Sequence, residues 1–137
     1  MEKKGPERID HIGIAVYSIE DALSFYTEQL HLKLVHIENV PSQGVKVAFL
    51  EIGESKIELL EPLSEKSPIS TFLRKRGEGI HHVALGVKNI QSRIEDLQNN
   101  GVKMIHDHPV EGAGGAKVAF LHPTSTKGVL YEFCEKS

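Results

Sequence analysis

Along residues 8–16 the chain alternates with a period of two. Ile12, Ile14 and Val16 share one parity, and His11, Gly13 and Ala15 share the other. That pattern marks a strand whose two faces meet different surroundings. The period then lengthens. Ile19, Ala22, Leu23, Tyr26 and Leu30 recur at helical spacing, behind a Ser18 and Asp21 placed as in a capping box. Three strand-like runs follow at about residues 33–40, 44–52 and 56–61, the last two joined by a Gly53-Glu54-Ser55 hairpin turn. Residues 67–77 predict a short helix, with Ser67-Pro68 as its start, Phe72 and Leu73 as its apolar side and Gly77 as its stop.

The same order then starts again. Lys46-Val47-Ala48-Phe49-Leu50 recurs as Lys117-Val118-Ala119-Phe120-Leu121, a displacement of 71 residues (46 to 117). That displacement also lays residues 9–16 on residues 80–87, Ile19 on Ile90 and Leu34 on Ile105. Separate segments agreeing on one offset identify a duplication, and the unit is too long for a solenoid repeat. The second copy predicts a strand at 79–87, then a helix capped by Asn89 that carries Ile90, Ile94 and Leu97 and ends at Gly101. Strands at 103–108, 116–121 and 128–135 complete it. The fold class is therefore α+β: two tandem βαβββ modules, about 8–63 and 79–135, joined by the linker helix and forming a curved mixed sheet. Residues 8–135 are expected to make a single domain, behind a flexible tail at 1–7.

Composition narrows the function. With 137 residues, a formal charge of -3 and 39% hydrophobic content, the chain has the ordinary globular balance and no electrostatic reason to bind nucleic acid or an anionic membrane. No apolar run approaches a membrane span, and the polar opening Met1-Glu2-Lys3-Lys4-Gly5-Pro6 has no apolar segment behind it, unlike a secretory signal. The single cysteine, Cys134, excludes an internal disulfide and fits a reducing compartment. A cytoplasmic protein is expected.

Four polar residues sit on the wrong face. Ile12, Ile14 and Val16, and Val83, Leu85 and Val87 in the repeat, are the sides expected to pack on helices. His11 and His82 occupy the opposite sides, each followed on its own face by small residues, the expected inside of the curved sheet. Glu58 alternates with Ile57 and Leu59, and Glu132 with Tyr131 and Phe133; a carboxylate in such company is costly unless a cation or strong donors meet it. The glutamates are 74 residues apart (58 to 132), so the second copy carries three extra residues, expected in the loop at 123–127. Two-fold symmetry of the modules would bring His11, Glu58, His82 and Glu132 together. Two imidazoles and two carboxylates suit a borderline divalent ion such as zinc, cobalt, nickel, manganese or ferrous iron. A lone strand histidine or glutamate is usually structural or solvated; it is the joint, symmetry-related pattern that argues for a metal. His81 points to the helix side. His31, His36, His106, His108 and His122 fall at element ends or loops and receive no ligand role.

These residues carry a resemblance. Asp10-His11-Ile12-Gly13-Ile14-Ala15-Val16, Ile57-Glu58-Leu59-Leu60-Glu61-Pro62-Leu63, Ser67-Pro68-Ile69, Gly79-Ile80-His81-His82-Val83 and Phe120-Leu121-His122-Pro123 through Gly128-Val129-Leu130-Tyr131-Glu132 resemble the methylmalonyl-CoA epimerase family of the glyoxalase, or vicinal oxygen chelate, superfamily. The resemblance spans nearly the whole chain. It implies a commonly dimeric protein in which the residues matching His11, Glu58, His82 and Glu132 hold one divalent metal (cobalt, zinc, manganese or nickel). It implies an acyl-CoA thioester substrate epimerised at C2, with Glu132 as both ligand and proton-transfer base. Position 58 is glutamine in some epimerases. Some members carry a glutamate on the third strand where this chain has Val47 and others are apolar there, so the resemblance leaves the second base unassigned.

Two further segments invite a role. The loop Glu111-Gly112-Ala113-Gly114-Gly115-Ala116 either shapes a pocket mouth or is a plain flexible connection. Arg74-Lys75-Arg76 either meets the phosphates of coenzyme A or complements a helix dipole. The rival functions are a glyoxalase I-like lyase, an extradiol dioxygenase, disfavoured by the extra ligand Glu58, and a non-catalytic binding module, which has no use for four converging polar side chains.

Overall fold

The computed structural model of the chain describes residues 4–136. Of the expected tail, residues 1–3 lie outside the described residues. The elements run β1 (Arg8–Ala15), α1 (Ile19–Ser24), β2 (Lys33–Val40), β3 (Val45–Ile52), β4 (Ser55–Pro62), α2 (Pro68–Arg76), β5 (Gly79–Gly86), α3 (Ile90–Asn99), β6 (Val110–Glu111), β7 (Lys117–Phe120) and β8 (Tyr131–Glu135). The order βαβββ therefore occurs twice around a linker helix, the α+β glyoxalase-type architecture expected. The chain divides into two compact units, His11–His81 and Met1–Asp10 with His82–Ser137, the divisions falling inside β1 and β5.

In the first unit the strands lie in the order β2-β3-β4-β1. β1 is parallel to β4, whereas β2, β3 and β4 are antiparallel neighbours, so the sheet is mixed. Gly53 takes a left-handed φ of 57°, and with Ile52 opposite Ser55 the β3–β4 connection is the tight hairpin expected. Val16, Ile19, Ala48, Leu50 and Leu59 form the core, with Ile14, Ala22, Leu23, Tyr26 and Ile57 against it. The helix-facing parity is as anticipated. Ser18 Oγ accepts from the Asp21 amide at 3.2 Å, starting α1. The predicted stripe ends early, however. After Ser24 the helix widens into a π-type turn at Phe25–Gln29, and Leu30 is 47% exposed. A wider turn advances side chains by less than 100° each, which rotates Leu30 off the buried face. In the linker, Ser67 Oγ caps α2 through the Ile69 amide, and Gly77, at φ 76°, ends it. His81 rests edge-on against Phe72 of α2, as its parity required.

The second unit orders its strands β5-β8-β7-β6, with β5 parallel to β8 and the others antiparallel. Val87, Ile90, Ile94, Ala119, Leu121 and Phe133 form its helix-side core. Two expectations fail here. The strand predicted at 103–108 is only a bridge, Met104 opposite Leu121, and the ladder forms later at Val110–Glu111. His106, Asp107, His108 and Pro109 offer no apolar alternation to bury, and proline cannot donate to a ladder. Nor does Asn89 cap α3 with its side chain: it sits at φ 55° and makes no such bond. The cap is tertiary. Glu135 of β8 accepts from the amides of Asn89 at 2.9 Å and Ile90 at 3.1 Å. Glu61 of β4 does the same for the Ile19 amide at 2.8 Å. Charged acceptors at the positive end of a helix dipole tie each helix to the last strand of its own module. Glu135→Ala is accordingly expected to destabilise the fold by about 1–2 kcal/mol in urea unfolding; an unchanged midpoint would contradict the assignment.

Candidate functional site

The four anticipated residues are buried polar groups on strands, and each unit holds two of them as a pair. His11 is 5% exposed, Glu58 4%, His82 6% and Glu132 6%. In the first unit His11 Nδ1 lies 3.1 Å from Glu58 Oε2. In the second His82 Nε2 lies 3.4 Å from Glu132 Oε1. The neighbours explain the placement. Glu58 has Gly13 beside it on β1 and Phe49 on β3; Glu132 has Ala84 beside it on β5 and Phe120 on β7. A small residue on one side leaves room above the ladder, and a phenyl ring on the other excludes water. The His82 ring meets that of Phe120 edge-on at 5.3 Å.

Burying a carboxylate among apolar strands costs several kcal/mol unless strong partners compensate. An imidazole is by itself a modest partner for a buried carboxylate. A histidine nitrogen and a carboxylate oxygen held close together on two rigid strands suit a divalent cation much better, and the donor chemistry fits the borderline metals. The residues present in each unit therefore fit a metal, with His11 and Glu58 offering donors in one and His82 and Glu132 in the other.

Other polar groups in the fold have structural duties. Asp10, buried beside His11 in sequence, is paired with Lys136 at 3.3 Å and Arg8 at 3.6 Å. His122 accepts from the Thr124 amide in a turn. Gly112 is demanded by packing, because a Cβ there would meet Val118 at 2.8 Å. Gly114 and Gly115 adopt φ of 68° and 75°, so the loop sequence answers backbone needs. The three extra residues of the second copy do fall between β7 and β8, in a turn at Pro123–Ser125 followed by left-handed Lys127 and Gly128. Arg74, Lys75 and Arg76 form the exposed last turn of α2, and Arg76 lies over the Phe72 ring.

Two histidines that sequence reading set aside lie close to the site pairs. His36 of β2 stacks on Phe49 with ring centroids 5.9 Å apart. His106 packs on Phe120 at 5.8 Å and accepts the Phe120 amide proton at Nδ1. Each unit thus carries a carboxylate, a phenyl ring and an imidazole as successive neighbours. The clue available in sequence was that Phe49 and Phe120 are themselves repeat partners.

Comparison with known proteins decides the family. Residues 10–120 match the model of the Glyoxalase/Bleomycin resistance protein/Dioxygenase superfamily. An ethylmalonyl-CoA/methylmalonyl-CoA epimerase of Cereibacter sphaeroides is 38% identical over 91% of this chain and 95% of its own. The chain belongs to the methylmalonyl-CoA epimerase family. Among solved structures, a Streptomyces coelicolor methylmalonyl-CoA epimerase variant in complex with 2-nitronate-propionyl-CoA is 36% identical, with a TM-score of 0.93 over 96% of both chains. A hypothetical protein of Bacillus halodurans is 68% identical, with a TM-score of 0.93 over 95% of this chain and 94% of that one. Among the described residues no helix is long and apolar enough to cross a membrane.

Proposed function

We propose that this chain epimerises methylmalonyl-CoA at C2 by moving the C2 proton through an enolate. The observation that carries the reading is the pair of buried histidine–glutamate couples at repeat-equivalent positions of a chain that aligns over 91% of its length with an epimerase. In this reading His11, Glu58, His82 and Glu132 together hold one divalent ion, and residues 8–135 work as one domain. The ion, when bound, supplies a Lewis acid that favours negative charge on the thioester oxygen. The rest is chemistry of the chain. The C2 hydrogen lies between a thioester and a carboxylate, and loss of its proton leaves a planar enolate. Glu132, a strand-held carboxylate with apolar neighbours, removes the proton from one face of C2 for one epimer and delivers it to that face for the other, while a second group or water serves the opposite face. Phe120 and Phe49 flank the two glutamates and keep water from competing for it. The reading extends to a homodimer in the cytoplasm, in keeping with a buried Cys134 outside any disulfide.

Proton exchange tests it. The purified protein, supplied in turn with cobalt, zinc, manganese or nickel, is expected to wash deuterium into C2 of methylmalonyl-CoA in deuterated water and to equilibrate the two epimers. A glutathione hemithioacetal is expected to stay unchanged. Lyase activity on that adduct, with an inert acyl-CoA, would favour the glyoxalase I-like alternative.

A further inference from the structure

Within the second unit three side chains form a row across one face of the sheet. Glu132 stands on β8, Phe120 opposite it on β7, and the imidazole of His106 lies beyond Phe120. Opposed residues of an antiparallel ladder project to one face. The His82 and His106 rings both touch that of Phe120, with centroids 5.3 Å and 5.8 Å away, so the row lies on the face of the site pair. Resting on the epimerase reading, we propose that His106 is a substrate-binding residue, its Nε2–H donating to the carboxylate attached to C2.

No regular strand holds His106 in place. Between the Met104–Leu121 bridge and the Val110–Val118 pair, residues 105–109 lie against only 119 and 120. Phe120 keeps its carbonyl paired with the Ile105 amide at 2.8 Å but gives its own N–H to His106 Nδ1 at 3.1 Å. A ring nitrogen that accepts carries no hydrogen, so that of the neutral imidazole sits on Nε2. The Nε2–H projects across the ring, away from the β7 backbone, and no group among the described residues takes it. His106 is half-buried, which leaves the donor open to a ligand. The first unit reaches the same juxtaposition by another path. There the β2–β3 register slips: Leu34 opposes Leu50 and His36 opposes Phe49, so one inserted residue, Val35, turns His36 and Glu38 to the face of Phe49. The displacement of the repeat lays His36 on Asp107, not on His106. Two unlike chain paths thus place an imidazole over each phenylalanine, and bulges that re-aim side chains recur beside active sites.

Chemistry selects the substrate group. Proton transfer at C2 brings the substrate's carboxylate close to Glu132, a like charge among apolar neighbours, and that is costly unless a donor meets it. Within the row only His106 has one to offer: ionised Glu132 only accepts, and Phe120 is a hydrocarbon. A neutral N–H supplies a charge-assisted bond without a cation that would pair with the base. His106 stands two strand spacings, roughly 10 Å, from the β8 backbone. Side chains reaching in from both ends leave room for C2 and its carboxylate, over the half-buried Phe120 ring. A thioester without that carboxylate gives His106 nothing to hold, so the residue selects malonyl-type substrates.

Ligand preference separates this role from a structural one. Binding of malonyl-CoA, and of acetyl-CoA, which lacks the carboxylate, is measured by calorimetry on wild type, His106→Phe and His106→Gln, all supplied with the same divalent ion. His106→Phe keeps an aromatic ring against Phe120 but no donor. It is expected to bind malonyl-CoA about 10–100-fold more weakly, with acetyl-CoA little affected. His106→Gln carries an N–H at the place of Nε2 and is expected to recover most of the loss. Undiminished malonyl-CoA binding by His106→Phe, or equal weakening toward both thioesters, overturns the assignment. Should His106→Phe not fold, His106→Ala, which admits water to the Phe120 amide, repeats the comparison on the same terms. Wild type that neither exchanges nor epimerises methylmalonyl-CoA overturns instead the epimerase reading on which the role of His106 rests.

Discussion

Glu132→Gln is expected to remain folded and to lose epimerisation by about 10³-fold or more, the largest effect of any single substitution considered. Two contributions combine. Proton abstraction by a positioned base is commonly worth about 10²–10⁴-fold, and a carboxamide cannot accept that proton at neutral pH. In the proposed metal set the same change also withdraws one anionic ligand, so metal affinity should fall. The two are separable by measuring exchange of each epimer at saturating metal. Loss of exchange from one epimer that added metal does not restore identifies the base. Full restoration by metal would leave Glu132 as a ligand alone and remove it from proton transfer.

Stripping divalent ions with a chelator is expected to abolish activity, and one equivalent per chain of a suitable ion to restore it. A readout independent of turnover accompanies this. A ligand that binds only the folded state stabilises it by mass action, about 4 kcal/mol when present at a thousandfold its dissociation constant. Metal addition should therefore raise the melting temperature of stripped wild type by several degrees. His82→Ala should show little of that rise, although the buried pair it breaks lies within one unit. Elemental analysis finding no divalent ion in freshly purified protein, together with no thermal shift on adding any of the four metals, would overturn the metal proposal while leaving the fold unaffected.

The burial of the four candidate residues was legible because it is written into strand parity. A two-residue period assigns a face without any knowledge of neighbours, and His11, Glu58, His82 and Glu132 each broke the apolar pattern of their surroundings. The repeat did the rest, turning four ordinary polar residues into two equivalent pairs. Glycine stops were legible for a similar reason. Gly53, Gly77 and Gly101 take φ values of 57°, 76° and 85°, a need local to the residue.

The misses share another cause. Asn89 is a good N-cap by type, yet α3 is capped by Glu135, which is remote in sequence and close only because β8 runs beside β5. The strand expected at 103–108 had the right place in the repeat but lacked apolar positions to hold a ladder. The bulge at Val35 left no mark in composition, and parity counted from Leu34 puts Glu38 on the wrong face.

Local order in this chain — periods, duplication, turn glycines and the choice of four buried polar residues — follows from side-chain chemistry read one residue after another. Register, the tertiary helix caps and the facing of His36 and Glu38 were decided only when strands paired. A ladder can absorb one extra residue at small cost in backbone energy, and that single insertion reverses every side chain beyond it. No residue type encodes that choice; the partner strand does.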